Sequence, residues 1–147
     1  LFHTGGKVGA YLAGADSNQI EGTERYGLNM GIAFQVVDDI LDVVGHVELL
    51  GKPTGMDLRD GNPSLPIILA LHAKESAVCE AFESEQPSEQ QIAAALEALR
   101  TGSAIEAAKT ISKRYAEDAL KSIKKFPPSL YRNGLKTLVQ LIIDRDF

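Results

Sequence analysis

From about Asp16 to Val44 the apolar side chains recur at helical spacing without a proline, and this run constrains the fold class more than any other feature. Its apolar positions include Ile20, Leu28, Ile32, Phe34, Val36, Val37, Ile40, Leu41 and Val44. Asp16 and Ser17 both suit a helix start, because their side-chain oxygens can accept the first unpaired backbone N–H groups. A helix of roughly 28 residues would be about 42 Å long at a rise of 1.5 Å per residue. Gly22, Gly27 and Gly31 recur along it and lower its helix propensity by up to about 1 kcal/mol each. Their expected use is the close approach of a neighbouring helix.

No stretch alternates as a strand does, and Ala, Leu, Glu, Lys and Ile dominate at helical spacing. A helix remnant is expected from Leu1 to about Ala13, broken by "AGADSN". Residues 45–63 read as a loop-rich stretch with a short turn of helix around Glu48. Ser64 is expected to cap the buried helix "LPIILALHA", with Pro66 tolerated in its first turn. Ser88 followed by Gln91 forms a capping-box pattern after the polar connector "ESEQPSEQQ". Helices are expected over about 88–99, 103–126 and 128–144. The second of these should bury Ile105, Ala108, Ile111, Tyr115, Ala119 and Ile123 on one face. With no repeat and no long linker, residues 1–147 read as a single all-α unit.

Inside the long helix, "QVVDDILDVV" places Asp38, Asp39 and Asp42 in an apolar run. Asp38 and Asp42 project from one face a turn apart, and Asp39 lies three positions from Asp42. Like charges at this spacing cost a helix roughly 0.2–0.5 kcal/mol, and more when desolvated. A hard divalent cation would offset that cost, since Mg²⁺ takes carboxylate oxygens and completes its shell with water and substrate phosphates. The alternative is a solvated acidic face, which the apolar flanks disfavour. Lys52 in "LGKPTG" and Asp57, Arg59 and Asp60 in "MDLRDGN" follow closely. Three acids, a lysine and another acid between helices suit a metal–diphosphate cradle.

The rest of the composition excludes some classes. Fifteen basic against twenty acidic residues give a net charge of −5, without a long Lys/Arg cluster, so no nucleic-acid footprint is expected. No apolar run approaches the roughly 18 residues of a membrane span. Cys79 is the single cysteine, which rules out an intrachain disulfide and fits a reducing compartment, with the cytoplasm as the expected location. Beginning at Leu1 in mid-pattern, the sequence reads as the C-terminal piece of a longer protein, in which any targeting segment would lie upstream.

"GIAFQVVDDILDVVGHVELLGKPTGMDLRDGNPSLPIILAL", residues 31–71, resembles the second aspartate-rich region of the trans-type isoprenyl diphosphate synthases, the polyprenyl synthetases. "GAYLAGA" and "LIIDRDF" resemble that family's preceding helix and C-terminal end. The resemblance implies the C-terminal part of an isoprenoid-synthase helical bundle. It implies a Mg²⁺-dependent condensation of isopentenyl diphosphate with an allylic prenyl diphosphate, and a homodimer or heterodimer built through helix faces.

By position it implies Asp38 as a direct Mg²⁺ ligand, with Asp39 and Asp42 acting directly or through metal-bound water. Lys52 would neutralise the leaving diphosphate, Gln35 would orient it, Phe34 would line the isoprenoid site and Asp57 would support the metal–water network. Two departures stand out. Asn62 occupies a position where many members carry lysine, and the family's first aspartate-rich motif is absent from these 147 residues. The chain alone is therefore expected to be inactive. A non-catalytic regulatory subunit of a heteromeric prenyl diphosphate synthase is the competing reading.

Overall fold

The computed structural model describes residues 1–45 and 54–145, and among these the only regular elements are helices. They are α1 (Phe2–Leu12), α2 (Ser17–Val44), α3 (Met56–Arg59), α4 (Leu65–His72), α5 (Ser76–Phe82), α6 (Glu89–Thr101), α7 (Ala104–Ser122) and α8 (Leu130–Ile143). The expected turn around Glu48 lies outside the described residues. The one-turn α3 and two-turn α5 carry too few turns for periodicity to mark them. By backbone contacts the chain forms two compact units, Leu1–Val37 with Ile111–Asp146, and Asp38–Thr110. Both α2 and α7 contribute residues to each.

In the first unit α2 begins as its sequence dictates. The Asp16 carboxylate accepts the Gln19 N–H at 2.9 Å, and the Gln19 side chain accepts the Asp16 N–H at 3.1 Å. Tyr26, Met30, Ala33, Val36 and Val37 turn inward from α2, joined by Ala116, Ala119 and Ile123 and by Val139 and Ile142 of α8. The apolar face of α7 differs from expectation at its middle. Ser112 and Ala116 are buried there, while Ile111 and Tyr115 are only half-buried. Ser112 is tolerated because its hydroxyl donates to the Ala33 carbonyl at 3.2 Å, which satisfies a buried polar group. α7 also ends at Ser122 rather than 126, and the place of Phe126 before Pro127 disfavours helical backbone there.

Glycines let α1 sit against α2, as the spacing predicts. A Cβ on Gly27 would stand 2.3 Å from the Phe2 carbonyl oxygen, and one on Gly6 would stand 2.5 Å from the Thr23 carbonyl oxygen. At the far edge of this contact Glu24 meets Lys7 at 3.0 Å and His3 at 2.9 Å. The Lys7 hydrogen bond, more than any other cause, holds the Glu24 carboxyl below its usual range.

Tyr26 donates its hydroxyl to the Leu135 carbonyl at 2.8 Å, and burial pushes the phenol up to about 12. In the unfolded chain a tyrosine ionises near pH 10. The folded form therefore favours the neutral phenol, and this contribution to stability is present below pH 10 and lost as pH rises from about 10 to 12. A spectrophotometric titration should show one tyrosine ionising near pH 12, and Tyr26→Phe should remove that step.

In the second unit α4, α5 and α6 pack on one another around Ile67, Ala70, Val78, Ala81, Ile92 and Leu99. The capping box expected at α6 is present, with Gln91 N–H donating to the Ser88 hydroxyl and the Ser88 N–H donating to the Gln91 side chain. Arg100 donates to the Val43 carbonyl at 2.8 Å and so satisfies an open acceptor at the end of α2.

Candidate functional site

The three aspartates sit in the last two turns of α2, where the helix delivers them to the start of the second unit. Asp38 and Asp39 are half-buried, whereas Asp42 is only 6% exposed. Burial of a carboxylate demands hydrogen-bond donors, and the chain supplies them from its own backbone. The Met56 N–H donates to Asp42 Oδ1 at 3.2 Å and the Asp57 N–H to Asp42 Oδ2 at 3.1 Å. The Gly55 N–H adds a third bond, to the Asp42 main-chain carbonyl at 2.8 Å. These donors are the open backbone N–H groups at the start of α3.

Gly55 makes the approach possible. Its φ of +76° suits glycine, and a Cβ there would meet Leu96 Cδ1 at 2.9 Å. Asp39 serves the next helix in the same way, accepting the Leu65 N–H at 3.0 Å at the start of α4. Ser64 occupies the N-cap position expected of it, yet its hydroxyl makes no cap bond and is buried without a partner among the described residues. The physical reason is local. Pro66, at the second helical position, has no N–H to offer a cap, and Asp39 takes the Leu65 N–H.

Asp57 stands in the first turn of α3 and accepts the Asn62 side-chain amide at 2.7 Å. The residue that departs from the family's usual lysine is thus occupied within the turn. Arg59, beside it, makes a two-pronged ion pair with Glu89, at 2.6 and 2.9 Å. Lys52 lies outside the described residues. The structure therefore brings Asp39, Asp42 and the N-terminal ends of α3 and α4 together, and sets the Asp57–Asn62 pair on the same turn.

In the first unit, Phe34 and Gln35 occupy the preceding turn of α2. Phe34 packs against Phe2, with ring centroids 5.5 Å apart and planes tilted by 53°. The Arg145 guanidinium lies over its ring at 4.9 Å. A cleft of about 480 Å³, lined by Phe2, Leu28, Ile32, Phe34, Gln35 and Val36 among others, opens along this wall. Nothing in the sequence signals the Arg145 contact, because the two residues are remote in the chain.

Carboxylate oxygens are the donor set a hard cation prefers, and Mg²⁺ is commonly held by one or two carboxylates plus substrate phosphates. Asp38 and Asp39 fit that requirement. Among the described residues no three His, Cys, Asp or Glu side chains gather closely enough to hold an ion by themselves.

A family model described as Polyprenyl synthetase matches residues 1–99. The chain belongs to that family. Among curated relatives, the polyprenyl synthetase chain is 35% identical to solanesyl diphosphate synthase 1, chloroplastic, of Arabidopsis thaliana over 95% of its own length and 34% of that protein. It is 34% identical to heptaprenyl diphosphate synthase component 2 of Geobacillus stearothermophilus, over 96% of this chain and 44% of the relative. Among solved structures it matches a polyprenyl synthase from Caulobacter crescentus complexed with calcium and isoprenyl diphosphate, with a TM-score of 0.87 and 34% identity. That match covers 98% of this chain and 45% of the other. The chain thus spans less than half the length of each of these relatives, and its all-α architecture is that of an isoprenyl diphosphate synthase.

Proposed function

We propose that this chain is the C-terminal part of a prenyltransferase that condenses isopentenyl diphosphate with an allylic prenyl diphosphate. The observation that carries the reading is the DDxxD end of α2, preorganised by two helix starts, in a member of the polyprenyl synthetase family. A relative complexed with calcium and isoprenyl diphosphate supports a divalent cation and a prenyl diphosphate as ligands.

When bound, Mg²⁺ would supply Lewis-acid neutralisation of the diphosphate leaving group. Asp38 would be its direct ligand and Asp39 a second, held at a fixed angle by the Leu65 N–H. Gln35 would orient the diphosphate. Lys52 would neutralise charge on the departing oxygen, which is electrostatic stabilisation of the transition state. Phe34, braced by Phe2 and Arg145, would form part of the apolar wall along which the isoprenoid chain lies. The Asp57–Asn62 pair would fix the turn that faces the metal–water network. In the reaction the allylic C–O bond breaks to release diphosphate, the isopentenyl double bond attacks the allylic carbon, and a proton is lost.

The full-length protein, given allylic and isopentenyl diphosphates with Mg²⁺, should release pyrophosphate, and the 147-residue chain alone should not. Failure of every allylic primer would overturn the reading. The second reading, a non-catalytic subunit of a heteromeric synthase, draws on Asn62 and on the relative that is one component of a heptaprenyl diphosphate synthase. The sequence upstream of Leu1 separates the two. A second DDxxD there favours the enzyme, and its absence favours the subunit. Light scattering on the full-length protein, with and without a candidate partner, tests the homodimer and heterodimer alternatives.

A further inference from the structure

We propose that Asp42 is a positioning residue, a buried latch that fixes the Gly55–Asp60 turn to the end of α2 and takes no place in the metal shell. Three successive backbone donors converge on this one residue, two on its carboxylate and one on its carbonyl. With one N–H on each oxygen and 6% exposure, its carboxylate is held by the backbone at the start of α3.

The latch has supports on both sides. Leu58, within α3, is 2% exposed, and Gly55 is pressed against Leu96 of α6. The Asp57 and Asn62 backbones close the same turn, Asn62 N–H to Asp57 carbonyl at 2.8 Å. Two of the three acids in DDxxD are thus bonded to backbone N–H groups at helix starts. The aspartates divide their labour, with Asp42 serving the architecture and Asp38 the ligand. The metal half of this division rests on the proposed function, whereas the latch half rests on geometry alone.

The test compares Asp42→Asn with Asp38→Asn in the full-length protein, by thermal unfolding and amide hydrogen exchange in EDTA and by Mn²⁺ binding well below the unfolding temperature. Asn at 42 keeps one acceptor and turns an N–H₂ toward the other donor. The melting temperature should fall by about 5 °C, given the usual strength of hydrogen bonds to charged groups. Exchange at Met56 and Asp57 should accelerate at least tenfold, and Mn²⁺ affinity should change less than twofold. A variant that fails to fold supports the latch equally. In that case the wild-type Met56 and Asp57 amides, protected in EDTA, provide the independent check.

Asp38→Asn should do the reverse, leaving exchange at Met56 and Asp57 unchanged and weakening Mn²⁺ at least tenfold. An Asp42→Asn protein with unchanged melting and exchange but tenfold weaker Mn²⁺ binding would overturn the assignment. So would unprotected Met56 and Asp57 amides in the wild type. If Asp38→Asn leaves Mn²⁺ binding intact, the metal reading fails, and the latch stands or falls on melting and exchange.

Discussion

Asp38→Asn in the full-length protein should lower kcat by about a thousandfold, close to 4 kcal/mol of lost transition-state stabilisation. Of the three acids, Asp38 is the one proposed to hold the cation directly. Asp39 and Asp42 each hold a backbone N–H at the start of a following helix. Asparagine preserves the shape and removes the charge, so the loss is electrostatic and not a packing defect. The Mg²⁺ concentration giving half-maximal rate should rise at least tenfold. On the proposed function the KM for the allylic substrate should rise with it, because its diphosphate would complete the same shell. Steady-state kinetics across a Mg²⁺ series decides the matter. A variant with unchanged kcat and unchanged Mg²⁺ dependence would remove Asp38 from the site.

Gly27→Ala should destabilise the first unit by about 2 kcal/mol and release α1 from α2. Two effects compete. Alanine gains up to about 1 kcal/mol of helix propensity over glycine inside α2. Against this, the new methyl would stand 2.3 Å from the Phe2 carbonyl oxygen, 2.8 Å from its carbon and 3.1 Å from His3 Cα. All three are backbone atoms, so no rotamer change relieves the overlap and α1 must move by about 1 Å, the gap to ordinary van der Waals contact. α1 buries no residue fully, so it yields before α2 does.

Chemical denaturation should report the loss, and amide exchange should show it concentrated in residues 2–12. Gly9→Ala supplies the contrast, since nothing lies within 4 Å of a Cβ there. It should stabilise by roughly 0.5–1 kcal/mol through propensity alone. Equal effects from the two substitutions would show that close approach is not the purpose of Gly27.

The sequence by itself determined the elements whose signals are local. The extent of α2 follows from its periodicity and from Asp16 and Ser17 as helix starts, and the start of α6 from Ser88 with Gln91. The family follows from motifs linked within one short segment, residues 31–71. The use of glycine at 22, 27 and 31 was also legible, because a glycine repeated at helical spacing has few purposes other than contact.

Only the tertiary structure decided what the acids in "QVVDDILDVV" meet. The partners of Asp42 and Asp39 are backbone N–H groups well downstream, and such donors carry no side-chain signature. The same holds for Ser64, which has the identity of a cap but makes no cap bond, while Asp39 takes the first N–H of that helix. Ser112, placed in a buried stripe where the pattern expected apolar neighbours, was decided by one carbonyl of α2. Periodicity records which face of a helix is apolar. It cannot record which backbone amide another segment will bring to a carboxylate, because that depends on how the chain turns between them.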